Sequence, residues 1–362
     1  MSMLVRKATA RAGKASAFDL EVVEVVGFGP MGATVTAARN GEGNLQLTQW
    51  NVAGDGASIE RVKDAVAGAV SEVATIVVHS HVVTAVVNGS GHLEVNSWTP
   101  ELLRKGAAFC ERASQVVICP FLDESSSDFF AAAYRDAKGA LKVEVWSLSA
   151  TGMPALRGAA YASSVNEVAL ASLGYGSGAR YRLITAVRNS HDDLELIQWS
   201  ASADGTTIKR LGSTTAGRAS QISLRVLGDL VFTSVRNGAG NLEITSWRAH
   251  SNGTIDRLDT ARGGSVCAVA SALSFDASGA QFLTTAIRNG SDEVELIDWK
   301  VQASGVLQWT SSAGVNAASL ARIRSAWNSQ NPGAINPSPR TVLITAMRNG
   351  LSELELISWT RE

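Results

Sequence analysis

One stretch of this chain is written seven times, and its spacing limits the fold more than any other feature. A clean copy is Thr345-Ala346-Met347-Arg348-Asn349-Gly350 followed by Leu354-Glu355-Leu356-Ile357-Ser358-Trp359. Anchored on the tryptophan, the copies stand at Trp50, Trp98, Trp146, Trp199, Trp247, Trp299 and Trp359, at steps of 48, 48, 53, 48, 52 and 60 residues. Eleven residues before each Trp comes Arg39, Arg135, Arg188, Arg236, Arg288 or Arg348, with Val87 in the second copy. The next residue is Asn in six copies and Asp136 in the third. Self-similarity at such a period means one supersecondary unit repeated, each unit too small to bury its own apolar face alone.

Each copy reads as a β-hairpin. An apolar run such as Val342-Leu343-Ile344-Thr345-Ala346 is followed by Arg-Asn-Gly and then by Leu-Glu-Leu-Ile-Ser-Trp. Asn-Gly is expected to supply the positive φ that a tight turn requires. The second strand is apolar on both faces, which suits a sheet packed between two others. Turn pairs such as Asp55-Gly56, Thr151-Gly152, Asp204-Gly205, Asn252-Gly253 and Ser304-Gly305 follow the Trp and separate a third strand from a fourth. Four strands per unit, and almost no helix, are the expectation.

The N-terminus fits this scheme. Leu4 to Gly13 resembles the segments that follow the Trp in later copies, such as Ile208 to Gly217, whereas the chain ends three residues after Trp359. The first strand is therefore expected to complete the last sheet, so that no unit is left with an open edge. The pattern T-A-x-R-N-G-x-x-x-L-E-L-x-x-W, with this N-terminal strand, resembles the seven-bladed β-propeller superfold over residues 1–362. That resemblance implies an all-β single domain of seven four-stranded antiparallel blades. It implies no functional family: the Trp-Asp of WD40 repeats, the sialidase Asp box and the integrin-type calcium loop are missing. Propellers serve as lectins, interaction platforms, lyases and hydrolases, so fold alone leaves function open.

Composition excludes some functions. A net charge of -1 gives no electrostatic footprint for nucleic acid or an anionic membrane. No apolar run is long enough for a spanning helix, and Met1 to Lys7 lacks a secretory core, so a cytoplasmic placement is expected, with leaderless export as the alternative. Cys110, Cys119 and Cys267 are an odd number and read as free buried thiols. No motif for a cofactor or phosphate loop is present.

Several residue sets carry chemistry. The recurring Arg39, Arg135, Arg188, Arg236, Arg288 and Arg348 could crown one face as an anion site, but a diagonal glutamate across each hairpin, such as Glu243 for Arg236, is expected to neutralise them structurally. Arg, Glu and Trp in every copy also match the groups that bind sugars. The Trp lies on the order of 13 Å along the strand from the Glu, so a sugar site needs neighbouring units. His79 and His81 share a strand face without further ligands, and no metal site is assigned. His191 reads as a polar turn tip. Charged inner-strand residues, Asp19, Glu21, Glu72, Glu167, Arg225 and Arg322, are expected to line a wet central channel in part. The long loop of the seventh copy adds an off-repeat Trp327 beside Asn328; with Tyr175 of the fourth copy these are the candidate ligand-binding residues.

Two functions follow. The near-equality of the copies favours a non-enzymatic binding module, lectin-like or a protein-interaction platform, whose partner is a small molecule, a glycan or a protein. The alternative is a lyase, cyclase or hydrolase working on a small molecule at one mouth of the channel.

Overall fold

The computed structural model describes residues 3–23, 31–78, 80–121, 128–173, 181–276, 278–327 and 341–361. Among them there is no helix, and so none long and apolar enough to cross a membrane. In chain order the strands are β1 (Leu4–Val23), β2 (Met31–Asn40), β3 (Asn44–Ala53), β4 (Ile59–Val78), β5 (His81–Asn88), β6 (His92–Trp98), β7 (Arg104–Pro120), β8 (Phe129–Asp136), β9 (Ala140–Leu148), β10 (Pro154–Leu173) and β11 (Arg182–Asn189). They continue as β12 (Asp193–Ala201), β13 (Ile208–Leu227), β14 (Leu230–Asn237), β15 (Asn241–Ala249), β16 (Ile255–Phe275), β17 (Gln281–Asn289), β18 (Glu293–Val301), β19 (Leu307–Trp327), β20 (Thr341–Asn349) and β21 (Glu353–Arg361). All belong to one antiparallel sheet of 21 strands.

Seven of these strands are long, and each serves two neighbours. The first half of β4 pairs with β3 and its second half with β5, with a register shift between Val70 and Glu72. The sequence treated such halves as separate fourth and first strands; the chain joins them without leaving extended conformation. At that midpoint two hairpin turns meet, because the Val70 N–H donates to Gly43 C=O and the Gly89 N–H to Ala69 C=O. The N-terminal strand behaves as its sequence suggests: Leu4 to Lys14 pairs antiparallel with β21, while Ala15 to Val23 pairs with β2. Ser358 Oγ also donates to Gly56 C=O at 2.6 Å, tying the last hairpin to the first turn of its kind.

The core is divided among the contacts of successive hairpins. Leu93 and Val95 of β6 pack against Phe130, Tyr134 and Trp146; Trp50 packs against Ile344, Leu354 and Leu356 from the other end of the chain. All seven periodic tryptophans are buried, each removing roughly 4 to 6 kcal/mol worth of surface from water by area. A buried indole N–H needs an acceptor. In six copies the second strand supplies it as a threonine, for example Trp247 Nε1 to Thr233 Oγ1 at 3.0 Å. This is the reason for Thr at that point of the repeat.

The hairpin turn corrects one expectation. The left-handed residue is not the Gly after Asn but the residue two further on: Gly43, Gly91, Gly139 and Gly240, and the non-glycines Asp192, Asp292 and Ser352. The Asn contributes its side chain. Asn237 Oδ1 accepts from the N–H groups of Ala239 and Asn241, and the carboxylate of Asp136 does the same for Lys138 and Ala140. Only an acceptor is required, so Asp replaces Asn freely. The Gly after Asn is held by space in some copies: a Cβ on Gly238 would stand 3.1 Å from Arg218 Cβ, and one on Gly89 3.1 Å from Ala69 Cβ.

Of the cysteines, Cys119 is buried, but Cys267 is exposed, against the expectation of three buried thiols. It lies on β16 within the register shift between Val266 and Ala268, both of which are buried.

Candidate functional site

The recurring hairpin arginines do not pair as expected. Arg39 Nε donates to Val70 C=O at 2.8 Å, Arg135 to Val165 C=O at 2.9 Å and Arg236 to Val266 C=O at 2.9 Å. Each arginine thus grips the midpoint of the next long strand, and lies flat over the turn glycine; a Cβ on Gly240 would meet Arg236 Nη2 at 3.2 Å. Where the turn carries Asp in place of Gly, the guanidinium bonds that carboxylate, Arg188 to Asp192 at 3.2 Å and Arg288 to Asp292 at 2.6 Å. Arg348 belongs to the same position of the repeat, in the turn that carries Ser352.

The glutamates of the third strands turn to a different arginine, one on the fourth strand. Glu94 pairs with Arg104 at 2.7 Å, Glu195 with Arg210 at 2.9 Å, Glu243 with Arg257 at 3.6 Å and Glu355 with Arg6 at 3.6 Å. In each case that arginine is the register partner of the periodic Trp. In three of the four a hydroxyl three residues on completes the group: Arg6 donates to Thr9 Oγ1 at 2.6 Å, Arg210 to Ser213 Oγ at 2.5 Å and Arg257 to Thr260 Oγ1 at 2.8 Å; in the fourth, Ala107 stands there and Arg104 donates to Asn96 Oδ1. In the first copy Arg61 instead bonds Asp64, which also accepts from Thr48 at 2.7 Å. The four glutamates are 10 to 18% exposed and their arginines 41 to 48%. A carboxylate and a forked donor therefore reach solvent together, with a hydroxyl in three of the four, beside exposed apolar groups such as Phe109, the register partner of Glu94, and Leu211.

The third and sixth copies depart from this plan. In the third, Ala132 replaces the threonine, and Glu144 takes over as acceptor for Trp146 Nε1 at 3.1 Å. Glu144 is fully buried, bonded by Tyr134 OH at 2.8 Å and by Lys142 Nζ at 2.9 Å; Lys142 also reaches Glu111 at 2.9 Å. Burial, with Glu144 adding to it, pushes the nearby Cys110 thiol up to about 12. In the sixth, Trp309 occupies the arginine's place and is half exposed.

A second polar region is the cavity of about 270 Å³ lined by all seven long strands. These strands pack in sequence order, and β19 packs on β1. Of the inner-strand charges singled out in the sequence, Asp19, Glu72, Glu167, Arg225 and Arg322 line it, joined by Arg324. Glu21 lies beside Arg324, its carboxylate 3.4 Å from Nε, and Asp19 is 3.6 Å from Nη2. Asp19 also accepts from the Thr75 N–H, and Glu167 from the N–H groups of Gln221 and Ile222. Burial raises the Glu72 carboxyl above its usual range, with Arg322 opposing. Burial and the facing Arg324 pull Arg225 down to about 9, with Glu21 and Asp19 opposing. Among the described residues no group of three or more His, Cys, Asp or Glu is arranged to hold a metal.

Trp327 ends β19, its backbone paired with Thr341; Asn328, Tyr175 and His79 lie outside the described residues. The fourth-strand arginines stand 11 residues after the Trp at Arg61 and Arg210, 10 at Arg257 and 6 at Arg104, so the Trp-anchored repeat does not register them. The signal the sequence does carry is local: Arg6, Arg61, Arg210 and Arg257 each precede a Thr, Asp or Ser by three residues.

No family model matches the chain. No curated protein matches it in sequence. Among solved structures, it is similar to a candidate 6-phosphogluconolactonase of Bacteroides uniformis, with a TM-score of 0.56 and 14% identity over 82% of this chain and 85% of that one. It is also similar to Sqt1 of Saccharomyces cerevisiae, with a TM-score of 0.55 and 11% identity over 99% of each chain. A triple arginine-to-alanine variant of AofleA from Arthrobotrys oligospora gives 0.52 and 9% identity over 79% of this chain and 82% of that one. At such identities the likeness carries the fold alone, an all-β arrangement of the β-propeller-like kind.

Proposed function

We propose that this chain is a single seven-bladed β-propeller over residues 1–362, with four-stranded blades, that binds glycans at several related places on its flank. The observation that carries the reading is the recurrence of one polar group in register: Glu94 with Arg104, Glu195 with Arg210, Glu243 with Arg257 and Glu355 with Arg6. Vicinal sugar hydroxyls need an acceptor and a planar double donor side by side, and these pairs offer both with part of the guanidinium open to solvent. Neighbouring apolar side chains suit the less polar face of a sugar ring. Repetition suits weak sites used together, since linked sites gain avidity without new contacts. The AofleA variant altered at three arginines spaced 53 residues apart supports attention to arginines of a repeat.

A glycan array followed by calorimetry tests this. Several equivalent sites are expected, with stoichiometry falling as Arg210→Ala and Arg257→Ala are combined. Absence of binding to any glycan, or one site untouched by both substitutions, sinks the reading. A second reading, a lyase, cyclase or hydrolase on a small molecule, has in its favour the cavity where carboxylates and guanidiniums from different strands face one another. A protein-interaction platform remains the third use of the same flank, and the array separates it from the first.

A further inference from the structure

The central cavity has a composition that solvated lining does not call for. Three guanidiniums, Arg225 on β13 and Arg322 and Arg324 on β19, converge on one side of it. The strand between them, β16, contributes only Val269 and Ala270 to the wall, so nothing bulky separates the cations. Arg324 is neutralised by Asp19 and Glu21. Arg225 is placed differently: its hydrogen bond goes from Nη1 to the neighbouring Leu224 C=O at 2.7 Å, and among the described residues the rest of its forked donor set meets only the cavity. Asp19 and Glu21 beside Arg324, and Glu72 toward Arg322, offset part of this charge; like charges held close in a buried space favour a further anion on the arginine that, among the described residues, bonds no carboxylate side chain, Arg225.

The opposite wall offers a complementary need. Gln115 on β7 stands at a positive φ of 54°, in the left-handed region uncommon for residues other than Gly and Asn. Its Oε1 is buried and has no hydrogen-bond partner among the described residues. A buried acceptor left unmade is unfavourable, and strained backbone beside a cavity is where ligand contacts concentrate. Glu72 on β4 lines the same wall. At about 270 Å³ the volume falls just below that of drug-sized ligand pockets, which run from about 300 Å³ upward, and is too small for an oligosaccharide.

We propose that this cavity is a second binding site, distinct from the flank, for a small hydroxylated carboxylate, whose anionic end lies on Arg225 and whose hydroxyl donates to Gln115 Oε1. The site differs from the flank pairs in being single, enclosed and cationic on one side. It does not depend on the glycan reading, and either can fail without the other.

The test uses the full chain, with D-glycerate as probe, glycerol as its uncharged counterpart, acetate as the carboxylate lacking hydroxyls, and chloride at matched ionic strength as control. D-glycerate is expected to raise the melting temperature and to bind with one-to-one stoichiometry by calorimetry, acetate more weakly and glycerol not at all. Arg225→Gln should lower the affinity at least tenfold, and Arg225→Lys should keep part of it. Because Arg225 is held charged against burial and two other guanidiniums, Arg225→Gln is expected to fold at least as stably as the parent, so lost binding is not lost folding. If that variant does not fold, Gln115→Leu serves instead, and it should erase the preference for D-glycerate over acetate. A thermal shift no larger than chloride gives, or one left unchanged in these variants, overturns the proposal.

Discussion

The third and fifth copies share one backbone register and nearly the same charges, yet they place them at different depths. In the fifth, the carboxylate of Glu243 sits four residues before the Trp, near the surface, with Arg257 and Arg262 beside it. In the third that position holds Lys142, and the carboxylate has moved two residues inward to Glu144, where Tyr134, Trp146 and Lys142 all bond it. Two residues along a strand keep a side chain on the same face, so the move changes depth and not direction. An exposed pair can trade protein contacts for a ligand's at little cost. A buried one is committed to structure.

The sharpest test of this contrast is to remove each carboxylate. Glu144→Ala leaves Lys142 without the buried one of its two carboxylates and Trp146 without an acceptor, and should cost about 3 to 5 kcal/mol in urea denaturation. Glu243→Ala should stay within about 0.5 kcal/mol of the parent. Equal losses would end the comparison.

The turns give a smaller effect of the same kind. Gly240→Ala puts a Cβ at positive φ and against Arg236, and should cost about 1 to 2 kcal/mol. Asp192→Gly relieves a left-handed non-glycine and trades away one exposed ion pair, so its expected change in thermal denaturation is under about 1 kcal/mol. If the two cost the same, the turn aspartate is an equal substitute for glycine and not a tolerated one.

The indole acceptors come next. Thr233→Val leaves the buried Trp247 N–H without its acceptor while keeping shape, and should cost about 1 to 2 kcal/mol. No comparable threonine exists in the third copy, where Ala132 stands. Smallest of all, a double-mutant cycle on Arg210 and Glu195 should give a coupling of about 0.2 to 1 kcal/mol, while the same single substitutions weaken glycan binding. A coupling of several kcal/mol would make that pair structural, like its counterpart in the third copy.

Much of this was legible beforehand. The period, the hairpins, the turns after each Trp and the pairing of Leu4 to Lys14 with the last strand follow from local pattern, because strand alternation and turn residues act within a few positions of one another. The charged inner strands, too, were marked by Asp19, Glu72, Glu167, Arg225 and Arg322 standing where a core would not tolerate them. What the pattern misassigned was partnership. Arg236 and Glu243 lie close in sequence and diagonal across the hairpin, which suggests a pair, whereas the first grips the Val266 carbonyl and the second faces Arg257 and Arg262.

By itself, then, the sequence determined the repeat, its strands and the chemical types available at each position. Only the tertiary structure decided which arginine meets which glutamate, because that depends on the register shift between third and fourth strands, such as the one between Ser246 and Trp247, which swings the fourth-strand side chain toward the carboxylate. Only the tertiary structure made the cavity, since its walls come from seven segments spread over some 300 residues of chain. The physical reason is one of range. Propensity and hydrophobic period are set by near neighbours, whereas an ion pair or a pocket is set by whatever distant groups the closed packing leaves within a few ångströms of each other.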